Sequence, residues 1–307
     1  MIATRLPRFE DNRSMSLSTP VDPLPRPTAS SAPGLITGQT RLYAILGDPI
    51  AQVQTPQAIN RLMAERGVDG VMVPMQVAAA DLAAFAASLR CLHNFGGMVV
   101  TVPHKTAMTV LCDHISPAAA AVGAINVVRR EADGRLVGEM LDGQGFVAGL
   151  RQYGIAIDGK SAFLAGAGGA ANAIAFALAD AGLARLTVYN RSPAKVDAMI
   201  ERLARHCPAM TVQAGSGDPA GHDLVINATS LGMQLTDALP LSTALLTADQ
   251  TVAEIIMQPV VTPLLAAAQA KGCRIHYGAP MLDCQIGLMA DFIGIPTEVP
   301  NDAEADA

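Results

Sequence analysis

A glycine-rich segment, Gly166-Ala-Gly168-Gly169-Ala170-Ala171, follows the apolar run SAFLA and precedes an alanine-rich stretch. In a strand–turn–helix unit, Gly166 permits the tight turn, Gly168 lets a pyrophosphate approach the backbone, and the small Ala171 allows close packing of helix on strand. The N-terminus of that helix offers unpaired N–H groups and the positive end of its dipole. The segment therefore predicts a dinucleotide phosphate site. A turn that serves packing alone is the alternative, and the βα units that follow argue against it.

The end of the next predicted strand, Tyr189-Asn190-Arg191-Ser192, bears on the choice between NAD and NADP. An NAD site usually has an Asp or Glu there to accept the ribose 2′-OH, whereas a 2′-phosphate needs a cation and no carboxylate. Arg191 can bind phosphate through two parallel hydrogen bonds, and Asn190 and Ser192 add neutral ones. We therefore expect NADP, with NAD as the alternative cofactor and a solvated loop arginine as the alternative role of Arg191.

Composition excludes several classes of protein. The chain has 307 residues, 50% of them hydrophobic, and a formal net charge of −6. This length suggests two domains with ample apolar residues for their cores. Because there is no surplus of basic residues, we expect no nucleic-acid partner and no anionic membrane partner. The five cysteines lack a C-x-x-C pair and the histidines lack metal-site spacing, so we expect no metal and a reducing, cytoplasmic location.

The longest uncharged stretch, 161–179, is about long enough to raise the question of a transmembrane helix. Its three glycines and Asn172 argue instead for a strand that turns into a helix. The N-terminus lacks a basic region followed by an apolar run and a cleavage site, so no secretory signal is predicted. Residues 1–38 are rich in Pro, Ser and Thr and are predicted to be a disordered extension.

The rest of the chain alternates short apolar runs with alanine-rich amphipathic segments. From Leu42 this pattern predicts a βαβαβ unit followed by a hairpin around Ala132-Asp133-Gly134. A second series from Ser161 to about 278 predicts a doubly wound parallel sheet, because each βαβ unit needs a right-handed crossover. The expected fold class is therefore α/β.

From about Leu42 to Ile295 the sequence resembles the shikimate/quinate dehydrogenase family. The matching segments occur in order: GDPI at 47–50, TVPHK at 101–105, GAIN at 123–126, DG at 142–143, the glycine loop, NRS at 190–192, NATSLGM at 227–233, TPLL at 262–265 and the segment 278–285. The resemblance implies an N-terminal α/β substrate domain over 39–141, completed by about 280–307. It also implies a C-terminal Rossmann domain over 142–279, with the active site in the cleft between the two.

The resemblance points to Lys105 and Asp142 as the catalytic pair. Reduction of a ketone by a nicotinamide hydride develops negative charge on oxygen, which an ammonium can stabilise and protonate, and a neighbouring carboxylate can hold that ammonium in place. A surface lysine and a simple Asp-Gly turn are the alternatives. The resemblance further implies substrate-binding positions at Val53, Thr55, Thr101, Asn126 and Gln285. Its implied cofactor positions are Gly166, Gly168, Gly169, Ala170, Asn190, Arg191, Ser192, Thr229, Met257, Gly278 and Met281.

The substrate positions depart from the family pattern. Val53 and Thr55 stand where the family normally carries two serines that bind the substrate carboxylate, and Val99 replaces an asparagine. Loss of such donors weakens the original ligand by about 1–3 kcal/mol per hydrogen bond. We therefore expect an enzyme with the family's chemistry and an altered substrate.

The expected function is that of an NADP-dependent oxidoreductase that interconverts a ring ketone and an alcohol. Its substrate would be a cyclic hydroxy acid such as shikimate, or a quinate-like or aminoshikimate-like analogue. The alternatives are a non-catalytic nucleotide-binding sensor on the same scaffold and a dehydrogenase for a one-carbon carrier. The chain is expected to be a monomer or a homodimer.

Overall fold

The computed structural model describes residues 36–297, which fold around two six-stranded sheets. In the first sheet, β1, β2 and β3 are parallel, whereas β5 runs antiparallel to both β3 and β6. The β5–β6 pair confirms the predicted hairpin, although both strands are shorter than predicted. The spatial order is β2-β1-β3-β5-β6-β4, with β1 at Arg41–Gly47, β2 at Gly70–Gln76, β3 at Phe95–Val100, β4 at His114–Ile115, β5 at Val127–Arg130 and β6 at Leu136–Glu139.

Three helices accompany the first sheet: α1 (Thr55–Glu65), α2 (Leu82–Leu89) and α3 (Pro117–Val122). The start of α3 is fixed by Ser116, whose hydroxyl accepts the N–H of Ala119 at 3.0 Å. A proline in its first turn removes an N–H that would have no partner there. Sequence periodicity did not predict α3 or β4, because both are too short to carry a periodic signal.

The second sheet is the predicted doubly wound parallel sheet, and all its pairs are parallel. The strand order reverses at β7, which has β8 on one side and β10 on the other. The spatial order is β12-β11-β10-β7-β8-β9, with β7 at Ser161–Ala165, β8 at Arg185–Tyr189, β9 at Thr211–Ala214, β10 at Leu224–Asn227, β11 at Thr251–Glu254 and β12 at Arg274–His276.

Five further helices complete the described chain: α4 (Asp142–Gln152), α5 (Gly169–Asp180), α6 (Pro193–His206), α7 (Pro263–Ala270) and α8 (Ala279–Phe292). The helix α4 packs against both α5 and α8, and α8 also packs against α1 and β5 of the first sheet. Glycines permit this close approach: a Cβ atom at Gly143 would lie 2.1 Å from the carbonyl oxygen of Ala173. Asp142 therefore begins a buried helix that contacts elements of both lobes, and the simple Asp-Gly turn is excluded.

The uncharged stretch 161–179 forms β7, the glycine loop and most of α5, as its glycines indicated. Helix α5 begins at Gly169, one turn before its predicted start at Asn172, because the glycine loop itself supplies the first helical residues. Within residues 36–297, no helix has the length and apolar character needed to cross a bilayer. The predicted extension over 1–38 lies outside the described residues except for its last three positions. The proposed domain boundaries stay a prediction.

Candidate active site

Four polar side chains from four different elements meet between the two sheets. Lys105 lies in the turn after β3, Asn126 directly precedes β5, Asp142 is the first residue of α4, and Gln285 lies in α8. Asn126, Asp142 and Gln285 are each no more than 3% exposed. Burial of polar groups at this depth requires that each finds a hydrogen-bond partner.

Hydrogen bonds join the four side chains into one cluster, which we call the catalytic cluster. Lys105 Nζ forms an ion pair with Asp142 Oδ2, and Asn126 Nδ2 donates to Asp142 Oδ1 at 2.7 Å. The same Nδ2 donates to Gln285 Oε1 at 3.2 Å. The N–H of Leu141 donates to Asn126 Oδ1 at 2.7 Å, which fixes the orientation of the Asn126 amide. Both oxygens of Asp142 are therefore occupied by donors.

This arrangement leaves the lysine ammonium able to serve a substrate. An ammonium has three N–H donors, of which Asp142 takes one. The N–H of Ile125 also donates to the carbonyl oxygen of Lys105 at 3.0 Å, so the backbone of the lysine is tied to the segment that carries Asn126. The position of Asp142 in the first turn of α4 favours its negative charge through the helix dipole. The cluster can therefore hold a cationic proton donor in a fixed place.

The other predicted substrate positions lie at the ends of β1 and β3, which are neighbours in the first sheet. Thr55 is buried at the start of α1, and Val53 packs against an apolar cluster of the first lobe. The N–H of Thr101 donates to the carbonyl oxygen of Leu46 at 2.8 Å. Among residues 36–297, no hydrogen bond links the side chains of Thr55 or Thr101 to the catalytic cluster. The structure thus groups Lys105, Asn126, Asp142 and Gln285 by direct contact and leaves Val53, Thr55 and Thr101 apart from them.

The glycine loop has the geometry of a phosphate cradle. Gly166 has a φ of 122°, and a Cβ atom there would lie 2.6 Å from the carbonyl oxygen of Ala228. A Cβ atom at Gly168 would meet no atom within 4 Å, so the loop is open on that side. Gly168 and Gly169 lie at the N-terminus of α5, where unpaired N–H groups can bind a phosphate. These residues, with Ala170, fit the pyrophosphate of a dinucleotide.

A second pair of side chains supports this loop and was missed by sequence reasoning. Asn172 Nδ2 donates to the carbonyl oxygens of Ala167 at 3.3 Å and Gly168 at 2.8 Å. Arg202 of α6 in turn donates to Asn172 Oδ1. Asn172 is a buried polar residue in a helix otherwise made of alanine and apolar residues. That isolated polar position is the signal in the sequence that could have identified it.

The remaining cofactor positions follow strands of the second sheet at the same edge. Asn190, Arg191 and Ser192 follow β8, and the exposed Arg191 is accompanied by Lys195, an exposed cation in the first turn of α6 that sequence reasoning missed. Thr229 follows β10, Met257 follows β11, and Gly278 and Met281 lie at the start of α8 after β12. Carboxyl ends of parallel strands at a reversal of strand order are where dinucleotides bind. Within residues 36–297, no group of three potential metal ligands is present.

Comparison with known proteins identifies the family. A model of the shikimate dehydrogenase substrate binding domain matches residues 45–128. A curated shikimate dehydrogenase (NADP(+)) from Acidiphilium cryptum is 39% identical over 249 residues, which cover 81% of this chain and 88% of that protein. The chain belongs to the shikimate dehydrogenase family. A second member, from Rubrobacter xylanophilus, is 38% identical over 251 residues, covering 80% of this chain and 88% of that protein.

Solved structures from the shikimate dehydrogenase family share the fold. The enzyme of Thermus thermophilus, solved with NADP(H) and shikimate, aligns with a TM-score of 0.74 at 31% identity and covers 85% of this chain and 96% of that chain. A 5-ketofructose reductase of Gluconobacter sp. strain CHM43 aligns with the same TM-score of 0.74 at 31% identity, covering 85% and 95%. The predicted two-domain α/β fold with a Rossmann sheet is confirmed.

Proposed function

We propose that the protein is an NADP-dependent oxidoreductase of the shikimate dehydrogenase type, which interconverts a ring ketone and its alcohol. The observation that carries this proposal is the position of the catalytic cluster beside the glycine loop. A Cβ atom at Gly169 would lie 3.4 Å from the Cβ atom of Lys105, so the lysine stands next to the phosphate cradle. A proton donor and a dinucleotide site at this separation suit hydride transfer to a carbonyl group.

The residues of the catalytic cluster divide the work of the reaction. When bound, the reduced nicotinamide supplies a hydride to the carbonyl carbon. Lys105 Nζ donates a hydrogen bond to the carbonyl oxygen and transfers a proton to that oxygen as negative charge develops there. Asp142 holds Nζ in position, and Asn126 holds Asp142. In the direction of alcohol oxidation, Lys105 in its neutral form accepts the hydroxyl proton.

NADP is the proposed cofactor. The relatives from A. cryptum and R. xylanophilus are both named shikimate dehydrogenase (NADP(+)), and the T. thermophilus enzyme was solved with NADP(H). In this chain, Arg191 and Lys195 place two exposed cations after β8, where the adenosine 2′-phosphate is expected. We propose that Asn190 and Ser192 complete this subsite.

The substrate end favours either a cyclic hydroxy acid or a neutral polyol ketone. Apart from Lys105, which is paired with Asp142, none of the proposed substrate positions is cationic: Val53, Thr55, Thr101, Asn126 and Gln285. The apolar Val53 offers no hydrogen bond to a carboxylate, and the Gln52 amide donates to the carbonyl oxygen of Pro49 at 2.9 Å. The likeness to a 5-ketofructose reductase adds a substrate without a carboxylate to the candidates.

The test is the absorbance of reduced nicotinamide with purified protein, NADP or NAD, and a panel of shikimate, quinate, aminoshikimate and, with NADPH, 5-ketofructose. Activity that is absent in Lys105→Ala is expected with at least one substrate. Turnover of shikimate at the efficiency of the ordinary family enzymes would contradict the altered substrate. NADPH binding without turnover of any compound would favour the sensor. A monomeric or dimeric state and a reducing cytoplasmic location stay predictions.

A further inference from the structure

Glu254, the last residue of β11, is a fully buried carboxylate that the reaction chemistry above does not use. None of the ion pairs among residues 36–297 includes it. A buried carboxylate without a cation is costly unless hydrogen bonds satisfy both of its oxygens. Its surroundings must therefore supply several donors.

Four residues supply these donors. Oε1 accepts the backbone N–H groups of Ile255 at 2.9 Å and Ile256 at 3.2 Å. Asn227 Nδ2 donates to both oxygens, at 3.1 and 3.0 Å, and Thr262 Oγ1 donates to Oε2 at 3.0 Å. Because every partner is a donor, the site is built for a group that only accepts, which is an ionised carboxylate. An amide in its place would present an N–H₂ group to at least one of these donors.

Through Asn227, the carboxylate fixes the loop after β10. Asn227 Nδ2 also donates to the carbonyl oxygen of Leu231 at 3.0 Å. Its Oδ1 accepts the N–H of Thr229 at 3.0 Å and the Thr229 hydroxyl at 2.7 Å. The position of Thr229 is therefore set by an amide whose own orientation is set by Glu254.

Through Ile255, Ile256 and Thr262, the carboxylate fixes the segments after β11. Ile255 and Ile256 lead directly to Met257. The start of α8 rests on this segment, since a Cβ atom at Gly278 would lie 2.3 Å from the carbonyl oxygen of Ile256. Thr262 caps α7 by accepting the N–H of Leu265 at 3.3 Å.

These segments lie on one side of the glycine loop. The phosphate cradle follows β7, and the adenosine end of the dinucleotide is placed at β8. A dinucleotide that crosses the reversal of strand order must therefore extend its other half over β10 and β11. That half carries the nicotinamide.

We propose that Glu254 is a positioning residue for the nicotinamide half of the cofactor, because it holds the loops that carry Thr229 and Met257 and the start of α8 in one arrangement. This inference rests on the proposed function. Burial raises the pKa of Glu254 to about 6, and the hydrogen bonds from Asn227, Ile256, Ile255 and Thr262 oppose that increase. The carboxylate is thus ionised at neutral pH, as its donors require.

The experiment compares two probes of the cofactor site in Glu254→Gln. The dissociation constant of NADPH is measured from the fluorescence of the bound nicotinamide, and that of adenosine 2′,5′-bisphosphate, which lacks the nicotinamide half, by competition or calorimetry. We expect the NADPH dissociation constant to rise about tenfold, as expected for the loss of one or two hydrogen bonds, while that of the bisphosphate changes less than about twofold. Glu254→Asp, which keeps the charge but has a shorter reach, should give an intermediate increase and serves if Glu254→Gln does not fold.

Asp223→Asn is the matched control. Asp223 precedes β10 at the opposite edge of the same sheet and accepts hydrogen bonds from Ser161 and Lys160, so its loss tests general weakening of the sheet. Neither probe should lose affinity in this variant. Equal weakening of both probes in Glu254→Gln, or no weakening of either, would overturn the positioning role. Wild-type protein that binds neither probe would instead overturn the proposed function.

Discussion

The catalytic cluster and the cofactor edge of the second sheet are built in different ways. The catalytic cluster consists of buried side chains from four elements, and its hydrogen bond from Asn126 to Gln285 joins residues 159 positions apart. The phosphate cradle is one continuous strand–loop–helix segment in which backbone N–H groups, an open Gly168 and the positive φ of Gly166 create the site. A site made of side chains is vulnerable to removal of single side chains, whereas one made of backbone is vulnerable mainly to added atoms.

The largest effect is expected in the catalytic cluster. Lys105→Ala removes the proposed proton donor and should lower kcat about 10²- to 10⁴-fold, the usual contribution of general acid–base catalysis. NADPH affinity should change little. Steady-state and binding measurements check this, with Lys160→Ala as the control, because Lys160 is an exposed lysine paired with Asp223 far along the chain. A similar loss of kcat in both variants would contradict the assignment.

Asn126→Ala should be the most damaging substitution for stability within the same cluster. It leaves Asp142 Oδ1 and the N–H of Leu141 without their partners in a buried site. We expect the free energy of unfolding to fall by about 2–4 kcal/mol, measured by urea denaturation. The exposed Asn94→Ala should change it by less than about 0.5 kcal/mol. Comparable losses in the two variants would mean that the catalytic cluster is not tightly coupled to the fold.

A side chain at the cofactor edge should affect selectivity rather than the fold. Arg191→Ala removes the proposed charge-assisted hydrogen bonds to the 2′-phosphate and should raise the KM for NADP about 10- to 100-fold. The KM for NAD, which lacks that phosphate, should stay within about twofold and is the internal control. Initial-rate kinetics with both cofactors decide the matter, since equal increases would place Arg191 elsewhere than at the 2′-phosphate.

The smallest expected effect concerns two buried titratable groups at neighbouring strand ends of the second sheet. Burial raises the pKa of Glu254 to about 6, and burial lowers the pKa of His276 to about 4. As pH rises from 4.5 to 6, the native carboxyl ionises less readily than the unfolded one, so Glu254 lowers stability by about 2 kcal/mol. As pH rises from 4 to 6.5, the unfolded histidine loses its proton later than the native one, so His276 raises stability by about 3 kcal/mol.

These opposing contributions should leave the wild type with a net increase of only about 1 kcal/mol across that pH range. His276→Phe should expose the Glu254 contribution, and the free energy of unfolding should then fall by about 2 kcal/mol between pH 4.5 and 6. Phenylalanine suits the site, because His276 lies edge-on to the rings of Phe146 and Tyr153 and its Nε2 has no partner. Denaturation curves at several pH values measure this. A rise with pH in His276→Phe would refute the raised pKa of Glu254.

The sequence by itself determined the features that depend on neighbouring residues. The alternation of apolar runs and amphipathic segments predicted the doubly wound sheet, because strand and helix periodicities are local properties of the chain. Gly166, Gly168 and Ala171 predicted the phosphate cradle, because a turn between one strand and one helix is specified within six residues. Lys105 and Asp142 were found through the resemblance, since neither has a local pattern that marks it as catalytic.

Only the tertiary structure decided which distant side chains meet. Asn126 and Gln285 come together because α8 returns to the first lobe and packs beside α4, an arrangement that no local pattern encodes. Glu254 is a single charge in the apolar run TVAEII, and its hydrogen bonds to Asn227 and Thr262 arise only when parallel strands align their carboxyl ends. Close packing makes such contacts depend on the whole fold, and burial then sets the pKa of the groups that it encloses.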